Sequence, residues 1–240
     1  MQRRKFIQST VLASFCSVQG IAEVSKRSDT GEVTLINAGV GGNNTVDLLA
    51  RIEKDCLSHH PELTTLMVGT NDMNSRKYIH IDVYEKNLQQ LINRIKKVNS
   101  TLLLMNLLPV HEPYLMTRHN SDFYKPEGHA ARLEQMNARI KKLAIANDVL
   151  FLDLHHIFKT IGNIGTEKNS LIKNEANSDT TDGLHPTPDG YRVIGLAVYH
   201  SIIQHRPTAK KIVCFGDSIT AGDGIAGGFN YPSYLKKLLS

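Results

Sequence analysis

Short, nearly unbroken apolar runs alternate along the chain with longer segments in which apolar residues recur every three or four positions. Residues 33–38, 66–69, 102–107, 149–152 and 212–215 are of the first kind, and apolar character without alternation predicts strands covered on both faces. Residues 46–57, 83–98, 130–146 and 191–203 are of the second kind and predict amphipathic helices, with one more over 231–239. The regular exchange of the two patterns predicts a single α/β domain built on a parallel sheet. Two stretches interrupt it. Residues 111–128, with two prolines and mixed polarity, read as an irregular insertion, and residues 162–181 as a polar loop. There is no internal repeat and no low-complexity tract.

Composition changes this picture mainly at the N-terminus. The chain has 240 residues, 41% hydrophobic and 21% charged, ordinary for one globular domain. Arg3, Arg4 and Lys5 precede a modestly apolar stretch to Ala22, the layout of an export signal, and Arg-Arg-Lys-Phe-Ile resembles a twin-arginine signal. Small residues at Gly20 and Ala22 suit cleavage, whereas Phe15 is bulky for a lipoprotein site at Cys16. The expected organisation is an export signal over 1–22, a linker over 23–30 and one domain over 31–240, in a periplasmic or extracellular protein. Loss of residues 1–22 lowers the formal charge from +5 to +2, which leaves a nucleic-acid partner without electrostatic support. No apolar run is long enough for stable membrane insertion. Cys56 and Cys214 fall in a helical pattern and an apolar run, as packed free thiols do. The pairs His59-His60 and His155-His156 have no second ligand cluster at metal-site spacing, so no metal is expected.

Four polar blocks remain, each open to a bland reading. Gly216-Asp217-Ser218 follows an apolar strand, where an open α/β sheet presents ligands, yet alone it is an ordinary turn. In Asp182-Gly183-Leu184-His185-Pro186 a carboxylate can hold the imidazole Nδ1 proton, or Asp182 can simply enter a helix beside an incidental histidine. Asn37-Ala38-Gly39-Val40-Gly41-Gly42 leads into a helix, where backbone N–H groups favour negative charge; it lacks the first glycine of a dinucleotide fingerprint. In Gly69-Thr70-Asn71-Asp72, Asn71 can offer an amide to an oxyanion while Asp72 holds the loop by local hydrogen bonds.

Together the blocks resemble the SGNH (GDSL-type) hydrolase family, named for its Ser, Gly, Asn and His, over nearly all of residues 33–240. The resemblance implies a three-layer α/β/α sandwich with a five-stranded parallel sheet, flavodoxin-like, and a serine esterase needing no cofactor. It implies Ser218 as nucleophile, His185 and Asp182 completing a triad, and an oxyanion hole from Ser218, Gly42 and Asn71, with Asp217 and Asp72 in support. Gly41 and Asn43 stand where Ser and Asp are common; touching neither hole residue, they are expected to bear on substrate preference alone. In the usual family layout the Gly-Asp-Ser block comes first, and here it comes last. Joining Ser240 to Gly31 restores the order, so the chain reads as a circular permutant, with strand 212–215 expected between strands 33–38 and 66–69. The expected substrate is a small-molecule or carbohydrate ester, with a lean to acetylated sugars. Lysophospholipase or thioesterase activity, or a non-catalytic carbohydrate-binding role, are the alternatives. Tyr114, Phe123 and Tyr124 are candidates for sugar stacking or an acyl pocket, and equally for packing.

Overall fold

A computed structural model describes residues 32–206, 208–225 and 227–240. The expected export signal (1–22) and linker (23–30) lie outside the described residues. Five strands, β1 (Thr34–Gly39), β2 (Leu63–Met67), β3 (Thr101–Met105), β4 (Leu150–Leu152) and β5 (Lys211–Gly216), form one sheet in the order β1-β5-β2-β3-β4. Every pairing is parallel. The last strand of the chain therefore lies between the first two, paired from Thr34 opposite Lys211 to Gly39 opposite Gly216 on one side and with Leu63–Met67 on the other. Burial follows position: β2 and nearly all of β5 are buried, while the edge strand β1 is largely half-buried or exposed.

Helices flank the sheet. The long ones are α1 (Thr45–Asp55), α3 (Ile81–Lys97), α5 (His129–Ala146) and α8 (Pro188–His205), and α10 (Tyr231–Leu239) ends the chain. Helices α1, α3 and α5 pack in succession, and α8 packs against α10. Helices α1, α8 and α10 start where the sequence supplies a side-chain acceptor for the orphan N–H groups. Asn44 and Asp47 make a reciprocal capping box on α1; Thr187 caps α8 ahead of Pro188; Asn230 caps α10 ahead of Pro232. On α3 the residues Tyr84, Leu88, Leu91, Ile92 and Ile95 form the buried stripe that the three- and four-residue spacing predicts. The result is an α/β/α sandwich with a five-stranded parallel sheet.

Some boundaries differ from the pattern-based ones. Strand β2 starts at Leu63 rather than 66, because Thr64 and Thr65 are buried with satisfied hydroxyls, bonded to Ser100 at 2.9 Å and Tyr231 at 2.8 Å. Helix α6 (Leu154–Ile161), capped by Asp153, begins directly after β4 and had no separate signal. Short turns of helix account for the rest: α2 (Thr70–Met73), α4 (Glu112–Leu115), α7 (Glu175–Ser178) and α9 (Ser218–Ala221). Thus the irregular stretch 111–128 contains α4 and a 3-10 turn at Ser121–Tyr124, and the polar loop 162–181 contains α7. Cys56 and Cys214 are free and buried.

Candidate active site

The polar blocks come together beyond the carboxyl ends of the central strands. Strand β5 ends at Gly216, and Ser218 opens α9 two residues later, with Asp217 as its N-cap accepting from the Ile219 N–H at 2.9 Å. The turn is tight enough to require glycine: a Cβ on Gly216 would lie 2.3 Å from Thr220 Oγ1 and 2.5 Å from the Met67 carbonyl oxygen. A substituted residue there would push the serine turn away from the sheet.

Facing Ser218, the segment 182–185 folds back on itself. The Asp182 carboxylate accepts from the backbone N–H groups of Leu184 (2.8 Å) and His185 (2.6 Å), so its orientation is set within its own turn. Its Oδ2 lies 2.8 Å from His185 Nδ1, and His185 Nε2 lies 3.0 Å from Ser218 Oγ. Carboxylate, imidazole and hydroxyl are therefore connected in series. Burial of Asp182 opposes its ionisation, but the His185 ring and the N–H groups of His185 and Leu184 outweigh it and hold the carboxyl well below the usual range. His185 and Asp182 keep side-chain exposures of 25% and 16%, so the site is open enough for a substrate.

The glycine turn after β1 borders the serine. A Cβ on Gly41 would lie 4.0 Å from Ser218 Cβ, and Gly42 is exposed with a left-handed φ of 74°. Across from it, Asn71 sits in α2, and its Nδ2 donates to the Asn43 carbonyl oxygen at 2.8 Å. Here an expectation fails: Asn43 does touch an assigned hole residue. Its main-chain oxygen holds the Asn71 amide, while its side chain accepts from Arg51 Nε at 2.6 Å. Asp72 also departs from expectation. Instead of bonding locally, it reaches back to the first residue of α1, taking the Thr45 N–H at 3.0 Å and the Thr45 hydroxyl. That bond ties α2 to α1, the two elements flanking the glycine turn. Burial raises the Asp72 carboxyl to about 6, against the lowering effect of the Thr45 bonds. Asp217 is fully buried and raised to about 7, chiefly by burial and further by the nearby Asp72 charge, with the Ile219 N–H and His185 opposing.

Two arginines hold these pieces and had no place in the motif blocks. Arg51 donates from Nη1 to the Ala38 carbonyl (2.9 Å) and from Nη2 to the Gly216 carbonyl (2.7 Å), and its guanidinium lies 4.6 Å above the Phe215 ring. The signal for it was a charged residue among inward positions of α1, three after the buried Leu48 and one before the buried Ile52. Arg118, in the irregular insertion, donates from Nη2 to the Asp182 carbonyl at 2.6 Å; nothing in its local sequence marks it. Of the three aromatic candidates, Tyr124 is buried with its hydroxyl on Asn74, so it cannot stack on a sugar. Phe123 meets Tyr78 edge-on, and Tyr114 donates to Glu175 at 3.0 Å. His155 is half-buried with Nδ1 3.2 Å from the Leu107 carbonyl, and His156 is exposed. Among the described residues no group of three His, Cys, Asp or Glu could hold a metal ion, and no helix is long and apolar enough to cross a membrane.

A parallel α/β sandwich that sets a carboxylate, an imidazole and a hydroxyl in series beyond its strand ends has the groups a hydrolase needs. The model of the GDSL-like Lipase/Acylhydrolase family matches residues 21–193, and the chain belongs to that family. The match ends before β5 and Ser218. Among curated proteins the chain is similar to an uncharacterised lipoprotein, YqeF, of Bacillus subtilis, 25% identical over 71% of this chain and 74% of the relative. It is also similar to an acetylxylan esterase of Geobacillus stearothermophilus, 23% identical over 71% and 72% of the two chains. Among solved structures, one of an acylhydrolase from Bacteroides fragilis aligns with a TM-score of 0.54 at 24% identity, over 69% of this chain and 73% of the other. That likeness speaks to the fold.

Proposed function

We propose that this protein is a serine esterase that forms an acyl-enzyme on Ser218 and acts on small acyl esters, acetyl esters of carbohydrates above all. The reading rests on one observation: Asp182 Oδ2, the two nitrogens of His185 and Ser218 Oγ form an unbroken hydrogen-bond series, with separations of 2.8 and 3.0 Å. In that series His185 Nε2 takes the Ser218 proton as Oγ attacks the ester carbonyl, and Asp182 holds the imidazole tautomer and steadies the imidazolium. The oxyanion receives hydrogen bonds from the Ser218 and Gly42 N–H groups and from the second hydrogen of Asn71 Nδ2, the first being engaged by Asn43. His185 then gives its proton to the leaving alcohol. Water repeats the cycle on the acyl-enzyme, with His185 again as base, and releases the acid.

The lean towards acetylated sugars is supported by the similarity to a protein described as an acetylxylan esterase. It is also supported by the exposure of Gly41 and Gly42 beside Ser218, which leaves room for a bulky polar alcohol. We also propose that the chain is a circular permutant of the family layout. The placement of β5 between β1 and β2 supports this, as does a family match that ends before the serine block. Residues 1–22 are proposed as an export signal and 23–30 as a linker to the domain over 31–240. The test is hydrolysis of nitrophenyl esters of increasing chain length and of acetylated xylo-oligosaccharides, with Ser218→Ala alongside. Fast acetyl release that vanishes in Ser218→Ala is expected, whereas activity retained in that variant would remove the esterase reading.

A further inference from the structure

The irregular insertion over 111–128 touches both halves of the site. At one end it meets the turn that carries Asp182. The His111 N–H donates to the Gly183 carbonyl at 2.8 Å, and Arg118 Nη2 donates to the Asp182 carbonyl at 2.6 Å. A Cβ on Gly183 would lie 2.7 Å from both the His111 carbonyl oxygen and Tyr114 Cβ, so the insertion rests directly on this turn. At its other end it meets the segment that carries Asn71. Tyr124 Oη donates to Asn74 Oδ1 at 2.7 Å, and His119 Nδ1 pairs with Ser75 Oγ at 2.7 Å.

The Asp182 carboxylate is fixed relative to its own backbone by the Leu184 and His185 N–H groups, so it moves only if the turn moves. Gly183 sits at φ +70°, which glycine adopts without strain, and the N–H of the peptide joining 182 to 183 donates to the Lys173 carbonyl at 2.9 Å, so what remains to fix that peptide is a partner for its oxygen. Among the described residues Arg118 supplies the hydrogen bond to that peptide's oxygen. Its guanidinium also lies 3.8 Å from Asp182 Oδ1, and its Nε is buried without a partner. An unpaired buried donor costs stability, and here the guanidinium, on a side chain that is 32% exposed, is directed at one carbonyl and one carboxylate.

We propose that Arg118 is a positioning residue for the acid–base pair, and that the 111–128 insertion acts as a brace setting Asp182 and His185 at a fixed distance from Asn71. The inference rests on the esterase reading above. A shift of the order of 1 Å in a reacting group costs about 10²-fold in rate. Losing the guanidinium should therefore lower kcat while leaving ground-state binding alone.

The experiment measures kcat and KM for nitrophenyl acetate, together with thermal unfolding, for the parent, Arg118→Met, Arg118→Lys and Ser218→Ala. A second readout is the low-field proton resonance of the imidazole N–H held between His185 and Asp182. The expected result for Arg118→Met is a kcat about 10–100-fold lower, KM within about twofold, and a broadened or lost low-field resonance. Arg118→Lys, whose ammonium can donate to the same carbonyl, should recover most of kcat. Should Arg118→Met fail to unfold cooperatively, Arg118→Ala, which likewise has no donor, is measured in its place with the same expectation for kcat and KM. Unchanged kcat in the neutral variant, a change in KM alone, or no recovery by lysine would overturn the positioning role. If instead the parent is inactive, or Ser218→Ala keeps its activity, the esterase reading fails and takes this inference with it.

Discussion

The side-chain amide of Asn71 donates to the main-chain oxygen of Asn43, 2.8 Å away and 28 positions earlier in the chain. The bond occupies one amide hydrogen and thereby aims the other. Replacing Asn71 by alanine removes a proposed oxyanion donor and also releases the Asn43 carbonyl. Loss of one such donor costs roughly 10²–10³ in kcat, so Asn71→Ala should fall by at least that factor while KM for nitrophenyl acetate changes little. Steady-state kinetics against the parent measures it. Asn71→Asp should be worse still, because it sets negative charge beside the proposed oxyanion, even though its size is nearly the same.

Arg51 joins three segments at once: the end of β1 through Ala38, the end of β5 through Gly216, and the glycine turn through Asn43. The bonds leave the guanidinium in different directions within its plane, a geometry lysine cannot reproduce. Arg51→Lys should therefore behave as a loss. The expectation is about 1–3 kcal/mol of stability lost in urea unfolding, with a fall in kcat as the turn bearing Gly42 loosens. Asn43→Asp keeps the acceptor for Arg51 and leaves the main-chain contact to Asn71 intact, so its kcat should stay within about threefold of the parent. A large loss in Asn43→Asp would show that charge at position 43, rather than the carbonyl, governs Asn71.

The strands and long helices were legible because burial leaves a period in the sequence. Leu48 and Ile52, or Tyr84, Leu88, Leu91 and Ile95, repeat at helical spacing because one face of each helix is packed. The motif residues were legible for a different reason: a hydroxyl, an imidazole, a carboxylate and glycine turns at strand ends form a combination that packing alone does not call for. What could not be read were contacts between segments remote in sequence. The Asp72 bond to Thr45 spans 27 positions, and the Arg118 bond to Asp182 spans 64. No local pattern encodes either one. Asp72 was assigned to its own loop because short polar side chains usually bond nearby; here α1 presents a free N–H group at its first turn, and the carboxylate fills it. Tyr124 was a stacking candidate by residue type, and only its hydrogen bond to Asn74 turns it inward.

Asp217 gives a pH signature. Its carboxyl is raised from 3.8 to about 7 by burial and by the Asp72 charge, in spite of the Ile219 N–H and His185. Between those two values the folded protein holds a proton that the unfolded chain releases. The stability owed to the neutral acid is therefore complete below about pH 4 and is lost as pH rises through about 7. Asp217→Asn is neutral at every pH and keeps an oxygen for the Ile219 N–H. Its stability relative to the parent should rise between pH 5 and pH 8, by about 2–4 °C in Tm for each kcal/mol in a domain of this size. Calorimetry of both proteins at the two pH values checks the sign. A constant difference would mean that Asp217 is ionised throughout.

The position of β5 carries the last prediction. It pairs with β1 along six residues and with β2 along five, and Ile212, Val213, Cys214 and Phe215 are fully buried. Ending the chain at 206 removes this strand, the serine turn and α10, leaving β1 and β2 with no common neighbour. Their facing N–H and C=O groups would lose their partners, and Thr65 would lose the Tyr231 hydroxyl. The truncated chain should therefore aggregate or unfold without a cooperative transition. The converse experiment separates strand content from strand order. A chain that opens at residue 208, runs to Ser240 and continues through a short linker into 32–206 has the same side chains in the order proposed above as the family's. It should recover the same sheet and comparable esterase activity, because the site depends on where loops meet rather than on which is made first. Folding should be faster in that order, since β5 then precedes both of its neighbours and the sheet centre no longer waits for the C-terminus. Stopped-flow refolding of the two full-length orders, with truncation at 206 as control, measures this. Equal rates, or a cooperative transition in the truncated chain, would show that the sheet nucleates without its central strand.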